Sequence, residues 1–166
     1  MSEIVNLFRK LTSGVYVIGV TDGRTQDAFT ASSVSHVSYR PLMLAVAVNP
    51  EHASYPLLMA GRTWTASVLD DTQLDLAARF GTSSPPGNDK MRNIGWGCGR
   101  LGAPYLSSAL AYFDCRLWAE FPAGDHKIIV GRVIGGHILR IHAQPMQYAN
   151  TGDLDQSSQL YPAQFD

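Results

Sequence analysis

Cys98 and Cys115 are the only cysteines among 166 residues. Two thiols cannot form a disulfide framework for a chain of this size, and neither sits in a ligand spacing that would suggest zinc. Charge is sparse as well: Asp, Glu, Lys and Arg make up 16% of the chain and sum to −1. Without a basic stripe, nothing drives binding to a nucleic-acid backbone, so nucleic acid is not an expected partner. No apolar run reaches the roughly eighteen residues that a membrane span needs. Residues 1–20 are interrupted by Glu3, Arg9 and Lys10 and lack both an apolar leader core and a cleavage signal. The expectation is a soluble, cytoplasmic chain with no membrane partner.

The common catalytic signatures are absent too. Gly95, Gly97 and Gly99 lie in a loop beside Trp96, not between a strand and a helix, and do not form a dinucleotide fingerprint. There is no P-loop and no His-Glu-x-x-His. Ser32, Ser33 and Ser35 lack the Gly-x-Ser-x-Gly elbow of a serine hydrolase. The five histidines (36, 52, 126, 137 and 142) are scattered, so no metal site is expected. Cys115 sits in an apolar, alternating run and reads as a buried structural thiol.

An apolar fraction of 45% over this length is enough for one domain, spanning residues 1–166, with a substantial core. Ser2 caps a short helix over 3–10, and Ser13-Gly14 ends it. Residues 15–20 are rich in β-branched side chains and close at Asp22-Gly23, which gives a strand. Residues 29–38 and 42–48 read as the second and third strands. The third is apolar at nearly every position, so both its faces should be covered. Helices over 55–60 and 74–80 flank a fourth strand at 63–69. Residues 82–104 form a long Gly- and Pro-rich connection, of a length that usually signals function. Further strands fall at 109–117, 127–133 and 137–142, and the tail after Pro145 carries no clear pattern. Six or more strands without regular βαβ alternation favour a mainly β fold with short helices, a small closed or partly open barrel.

Two local features invite a ligand. Residues 28–38 carry five hydroxyl side chains among small neighbours, which suits either a polar, solvent-facing edge strand or a strand edge that hydrogen-bonds a planar, phosphorylated molecule. Asp125-His126 lies in a Gly-led turn between strands, which fits an exposed turn histidine as well as a loop that aims an imidazole at a site.

In order, these segments resemble the flavin reductase-like family of NAD(P)H:flavin oxidoreductases, built on an FMN-binding split barrel. Residues 8–15, Phe-Arg-Lys-Leu-Thr-Ser-Gly-Val, resemble the family's opening F-R-x-L-x-S-G-V. Residues 29–38, Phe-Thr-Ala-Ser-Ser-Val-Ser-His-Val-Ser, resemble its flavin-binding strand, followed by Pro41. Asp89-Lys90 through Trp96 resembles D-R-F-x-G-x-x-W, and Gly102 to Leu106 with 109–115 resembles G-x-P-x-L followed by A-L-A-x-x-x-C. Residues 124–133 are similar to G-D-H-x-x-x-x-G-x-V. The likeness covers about 6–142 and leaves the tail unassigned.

The resemblance implies a split β-barrel that takes FMN, with FAD second, and uses NADH or NADPH as co-substrate. It places the flavin ring along Phe29, Thr30, Ala31, Ser32 and Ser33. The ribityl and phosphate end would lie at Val48, Asn49, His52, Ser54 and Tyr55, with Arg79 and Phe80 closing over it. His126 is implied on the nicotinamide side, positioning the substrate. His36 and Ser38 fall to packing or interface roles. A homodimer with flavin near the subunit interface is implied, as is a possible partner monooxygenase that takes reduced flavin. Because the cofactor carries the redox chemistry, no catalytic acid or nucleophile is required of the protein. The alternative is a non-catalytic split-barrel protein that holds flavin or haem.

Overall fold

The computed structural model describes residues 2–82 and 89–165. Helix α1 (Glu3–Phe8) begins where the Ser2 hydroxyl accepts a hydrogen bond from the Val5 amide at 3.3 Å. Strands β1 (Tyr16–Thr21) and β2 (Gln26–Ala31) form an antiparallel hairpin in which Tyr16 pairs with Ala31. β3 (Val34–Tyr39) and β4 (Leu42–Val48) form a second hairpin, joined at Arg40-Pro41. Then come α2 (Tyr55–Gly61), β5 (Thr63–Val68) and α3 (Leu74–Gly81). β6 (Trp96–Cys98) and β7 (Pro104–Leu106) pair within the expected long connection, of which residues 83–88 lie outside the described residues. β8 (Ala111–Ala123) and β9 (His126–Ile138) are a long hairpin around Gly124-Asp125. Gly124 there has φ +63°, a left-handed value that glycine adopts without steric cost.

The seven long strands lie in the order β2-β1-β5-β8-β9-β4-β3. Strands adjacent in the chain, β2 and β3, therefore stand at opposite edges of the sheet. The expected continuous strand over 29–38 is two strands, broken at Ser32-Ser33, and this short crossing bridges the split of an unclosed barrel. Its physical cause is visible at Ser33. The Ser33 hydroxyl accepts from the Ala47 amide at 3.2 Å and donates to the Ala47 carbonyl at 3.3 Å, taking the place of backbone pairing at the end of β4. β3 resumes backbone pairing at Val34, opposite Val46.

Two other expectations change. No separate strand occupies 137–142: β9 continues to Ile138, opposite Ala111, and the Leu139 and Arg140 amides both donate to the Leu110 carbonyl. The tail, patternless in sequence, is ordered through long-range contacts. Tyr148 N–H donates to Ser13 O at 2.8 Å, Met146 N–H to Leu69 O at 2.9 Å, and Gly14 bridges to Gln147.

Alternate residues of β1 and β2 face two apolar clusters. Ile18, Val20 and Phe29 join Val46, Leu58, Trp64 and Ile129 inside the sheet's curl. Val17 and Ala28 join Leu69, Phe80 and Leu106 beneath α3. β4 is buried over Leu44, Ala45, Val46 and Val48, though Leu42 is exposed. Cys115 is buried, as its sequence setting suggested. Among the described residues, no helix is long and apolar enough to cross a membrane.

Close packing of β7 on β1 depends on Gly19. A Cβ there would run into the Pro104 carbonyl, the same oxygen that accepts from the buried Thr65 hydroxyl. Gly19→Ala is expected to cost about 1–3 kcal/mol through overpacking. A urea midpoint equal to wild type would contradict this contact.

Candidate functional site

A cavity of about 550 Å³ lies beneath the crossing between β2 and β3. Its walls come from three directions. Phe29, Thr30, Ala31, Ser32 and Ser33 form one side, with Ala47, Val48 and Asn49 at the end of β4. Ala77, Ala78, Phe80, Gly81 and Thr82 of α3 and its C-terminus form the second, and tail residues Tyr148 to Leu160 supply the third. His52 and His126 also line it. The mixture of apolar walls with a few fixed polar groups suits a planar aromatic ligand.

The hydroxyls of the crossing differ in what they can still bind. Thr30 Oγ1 donates to the Ala77 carbonyl at 2.8 Å and pins α3 to β2. Ser33 is occupied by Ala47 on both counts. The Ser32 hydroxyl has no hydrogen bond among the described residues and is the one left to a ligand.

At the end of β4, Asn49 shapes the turn by accepting from the Glu51 amide at 2.9 Å through its side chain and from the His52 amide at 3.0 Å through its carbonyl. His52 Nδ1 accepts from the Ser54 amide at 3.2 Å, which places the ring proton on Nε2. Its ring tilts against Phe29 with centroids 5.0 Å apart. Burial, aided by the nearby Lys90 ammonium, pushes the His52 pKa below its ordinary value, while Asp27 opposes the shift. The imidazole is therefore a neutral Nε2–H donor at neutral pH. Burial likewise lowers the Lys90 pKa, against the attraction of Asp27. Lys90 Nζ reaches the carbonyl of Thr82, a cavity residue, at 3.5 Å.

His126 stands at the tip of the β8–β9 hairpin, half-buried. Its Nδ1 donates to Asp125 Oδ1 at 2.7 Å, since an ionised carboxylate can only accept. This contact holds the Asp125 carboxyl below the usual carboxylate range and leaves Nε2 of the ring uncommitted. Asp125 thus fixes the ring's orientation.

Ten of the thirteen residues expected at the site line this cavity: Phe29, Thr30, Ala31, Ser32, Ser33, Val48, Asn49, His52, Phe80 and His126. Ser54, Tyr55 and Arg79 do not. Ser54 is fully buried behind the wall and donates to Asp27 Oδ2 at 2.5 Å. Tyr55 turns away and donates to Glu120 at 2.7 Å. Arg79 is spent on the loop, donating to the Lys90 and Arg92 carbonyls at 2.6 Å each. In fixing that loop it helps place Lys90, a cation that sequence reading passed over. The tail wall was also missed. It is held by Arg9, which donates to Gly152 O at 3.1 Å and pairs with Asp153 at 3.4 Å, and by the Phe8–Tyr161 ring contact. Partners more than 140 residues apart leave no local signal in a sequence.

Known proteins resemble this arrangement. The model of the flavin reductase-like domain matches residues 8–155. The NADH-dependent FAD reductase of Streptomyces globisporus is 31% identical over 134 residues, covering 80% of this chain and 73% of that one. Among solved structures, the NADH:FAD oxidoreductase of Streptomyces globisporus superimposes with a TM-score of 0.80 at 29% identity, covering 87% and 86% of the two chains. The flavin reductase component of a bacterial two-component tryptophan halogenase gives 0.75 at 29% identity, covering 86% and 96%. The chain spans only about a quarter of the length of the diflavin flavoproteins it also matches. With the family model matched over residues 8–155 and a relative 31% identical, the chain belongs to the flavin reductase-like domain family.

Proposed function

We propose that this chain is an NAD(P)H:flavin oxidoreductase that takes FMN, with FAD second, and passes reduced flavin to a partner oxygenase or halogenase. The carrying observation is the cavity itself. It joins a hydroxyl- and backbone-edged slot at Thr30–Ser33 to a fixed imidazole at its mouth, and among the described residues no lining hydroxyl is hydrogen-bonded to His52 or His126. When bound, flavin supplies the two-electron chemistry, accepting hydride from reduced nicotinamide. The protein's share is orientation and charge compensation.

The residues present fit that group. Ser32 Oγ and the open backbone of the crossing serve the polar edge of the ring, and Phe29, Val48 and Phe80 serve its apolar part. The ribityl and phosphate end belongs at Asn49, His52 and Thr82, where His52 Nε2–H donates and Lys90 supplies positive charge. His126, held by Asp125, positions the nicotinamide nucleotide from the mouth. Exposed Tyr39, Leu42, Trp118 and Phe121 on β3, β4 and β8 offer an apolar surface that a second copy would cover in a homodimer.

The deciding experiment is reduced-nicotinamide oxidation by the purified chain with added FMN or FAD. Flavin-dependent oxidation is expected; flavin binding without oxidation would favour the non-catalytic reading, and the absence of both would refute the oxidoreductase and leave haem alone to the alternative. Three further outcomes test the roles. Lys90→Met should weaken FMN binding about tenfold by removing a charge-assisted contact and leave riboflavin unchanged; equal losses for both would contradict a phosphate role. His126→Ala should raise the KM for reduced nicotinamide about fivefold to tenfold with flavin affinity unchanged, and a parallel loss of flavin affinity would refute it. The third concerns acid. Because the folded-state pKa of His52 lies below the ordinary 6.5, the unfolded chain takes up this proton first as pH falls through 6.5. Stability is then lost on acidification below that value. The urea midpoint should fall less between pH 7 and pH 5.5 in His52→Asn than in wild type, and equal falls would contradict a buried neutral ring.

A further inference from the structure

The cavity is electrically lopsided. Among the described residues that line it there is no Lys or Arg, and Asp155 is its one carboxylate. Residues 83–88 could add no charge, being Ser, Ser, Pro, Pro, Gly and Asn. Positive charge stands behind the walls at two places among the described residues: Lys90, which lies by Asp27 at the start of β2, and Arg9, which is paired with Asp153 behind the tail. The tail lies at the other end of that strand, where Ala31 pairs with Tyr16 and Tyr148 bonds to Ser13. Four strand steps from Asp27 to Ala31 separate the two ends by about 13 Å.

Asp155 is held in place but not used up. Its Oδ2 accepts from the Tyr148 hydroxyl at 2.9 Å and its Oδ1 from the Ser157 amide at 3.1 Å. An ionised carboxylate offers about four acceptor positions, so about two remain. Asp155 and Gln156 are exposed, which puts this part of the wall at the rim of the cavity and not in its depth. A nicotinamide ring that meets flavin inside leaves the adenosine half of its dinucleotide at the rim. A fixed carboxylate suits the two hydroxyls of an unsubstituted ribose and repels a phosphate on the 2′ oxygen.

Resting on the oxidoreductase reading above, we propose that Asp155 on the C-terminal strap selects the coenzyme, accepting NADH and rejecting NADPH. The 2′-phosphate of NADPH meets the Asp155 carboxylate, while the cation that holds the tail, Arg9, is engaged by Asp153 at 3.4 Å and by the Gly152 carbonyl. The strap therefore reads the coenzyme, while the crossing and the Asn49 turn hold the flavin.

The test is kcat/KM for NADH and NADPH, at saturating FMN, in wild type, Asp155→Asn and Tyr148→Phe. Wild type should favour NADH by about tenfold or more, as expected of an uncompensated like-charge contact. Asp155→Asn should lower that ratio about tenfold, mainly through a smaller KM for NADPH, with the KM for FMN unchanged. Tyr148→Phe, which removes one support but keeps the charge, should retain the preference. In wild type the KM for NADPH should fall as salt screens the repulsion, and in Asp155→Asn it should not. An unchanged ratio in Asp155→Asn would overturn the assignment. So would an equal shift in Tyr148→Phe, or a matching change in the KM for FMN. Oxidation of both coenzymes with equal kcat/KM by wild type overturns this inference alone; oxidation of neither overturns the oxidoreductase reading and this inference with it.

Discussion

The chain leaves one edge of its sheet at Ala31 and enters the other at Val34, and the Ser33 hydroxyl, bonded twice to Ala47, holds that step in place. Much follows from it. Two residues between opposite edges cannot span a flat sheet, so the sheet must curl until β2 and β3 approach. The curl encloses Trp64 and its neighbours on one side. On the other, Thr30 draws α3 against β2, and the space left below the crossing is the cavity. Fold and site thus share a cause: the backbone that closes the split also lines the ligand slot.

Around that slot the polar groups are committed in layers. Neighbouring groups fix those that face the slot: Ser54 and Asn49 orient His52, Asp125 orients His126, and Arg79 holds the loop that carries Lys90. Tyr148 and Ser157 do the same for Asp155. Pre-set groups of this kind lower the ordering cost of binding a ligand. They also divide the cavity electrically, with the cation near Asp27 and the carboxylate on the strap.

Much of this was legible in the sequence, and the gaps have physical reasons. Strands β1, β4 and β5 carry β-branched or unbroken apolar runs, α1 announces itself by its Ser2 cap, and α3 by the apolar residues Leu74, Leu76, Ala77 and Phe80. The hydroxyl stretch and the Asp125-His126 turn, together with what the family resemblance implied for Val48, Asn49, His52 and Phe80, pointed to ten residues that do line one cavity. Residues 29–38 read as one strand because small, hydroxyl and β-branched residues run through it with no Gly or Pro to mark a break; a change of pairing partner at Ser32-Ser33 needs neither. Arg79 drew attention as a cation near the expected phosphate end, yet its guanidinium serves two backbone carbonyls. The tail was opaque because Arg9, Ser13 and Leu69 order it from far along the chain.

The central claim is that a flavin occupies the space under the β2–β3 crossing. Titrating the isotope-labelled chain with FMN while following backbone amide signals by NMR tests it most directly. The account predicts that the largest shifts fall at residues 29–33, 47–52 and 79–82. Shifts centred instead on the surface depression lined by Arg100, Arg116, Trp118 and Arg132, with residues 29–33 unmoved, would contradict it.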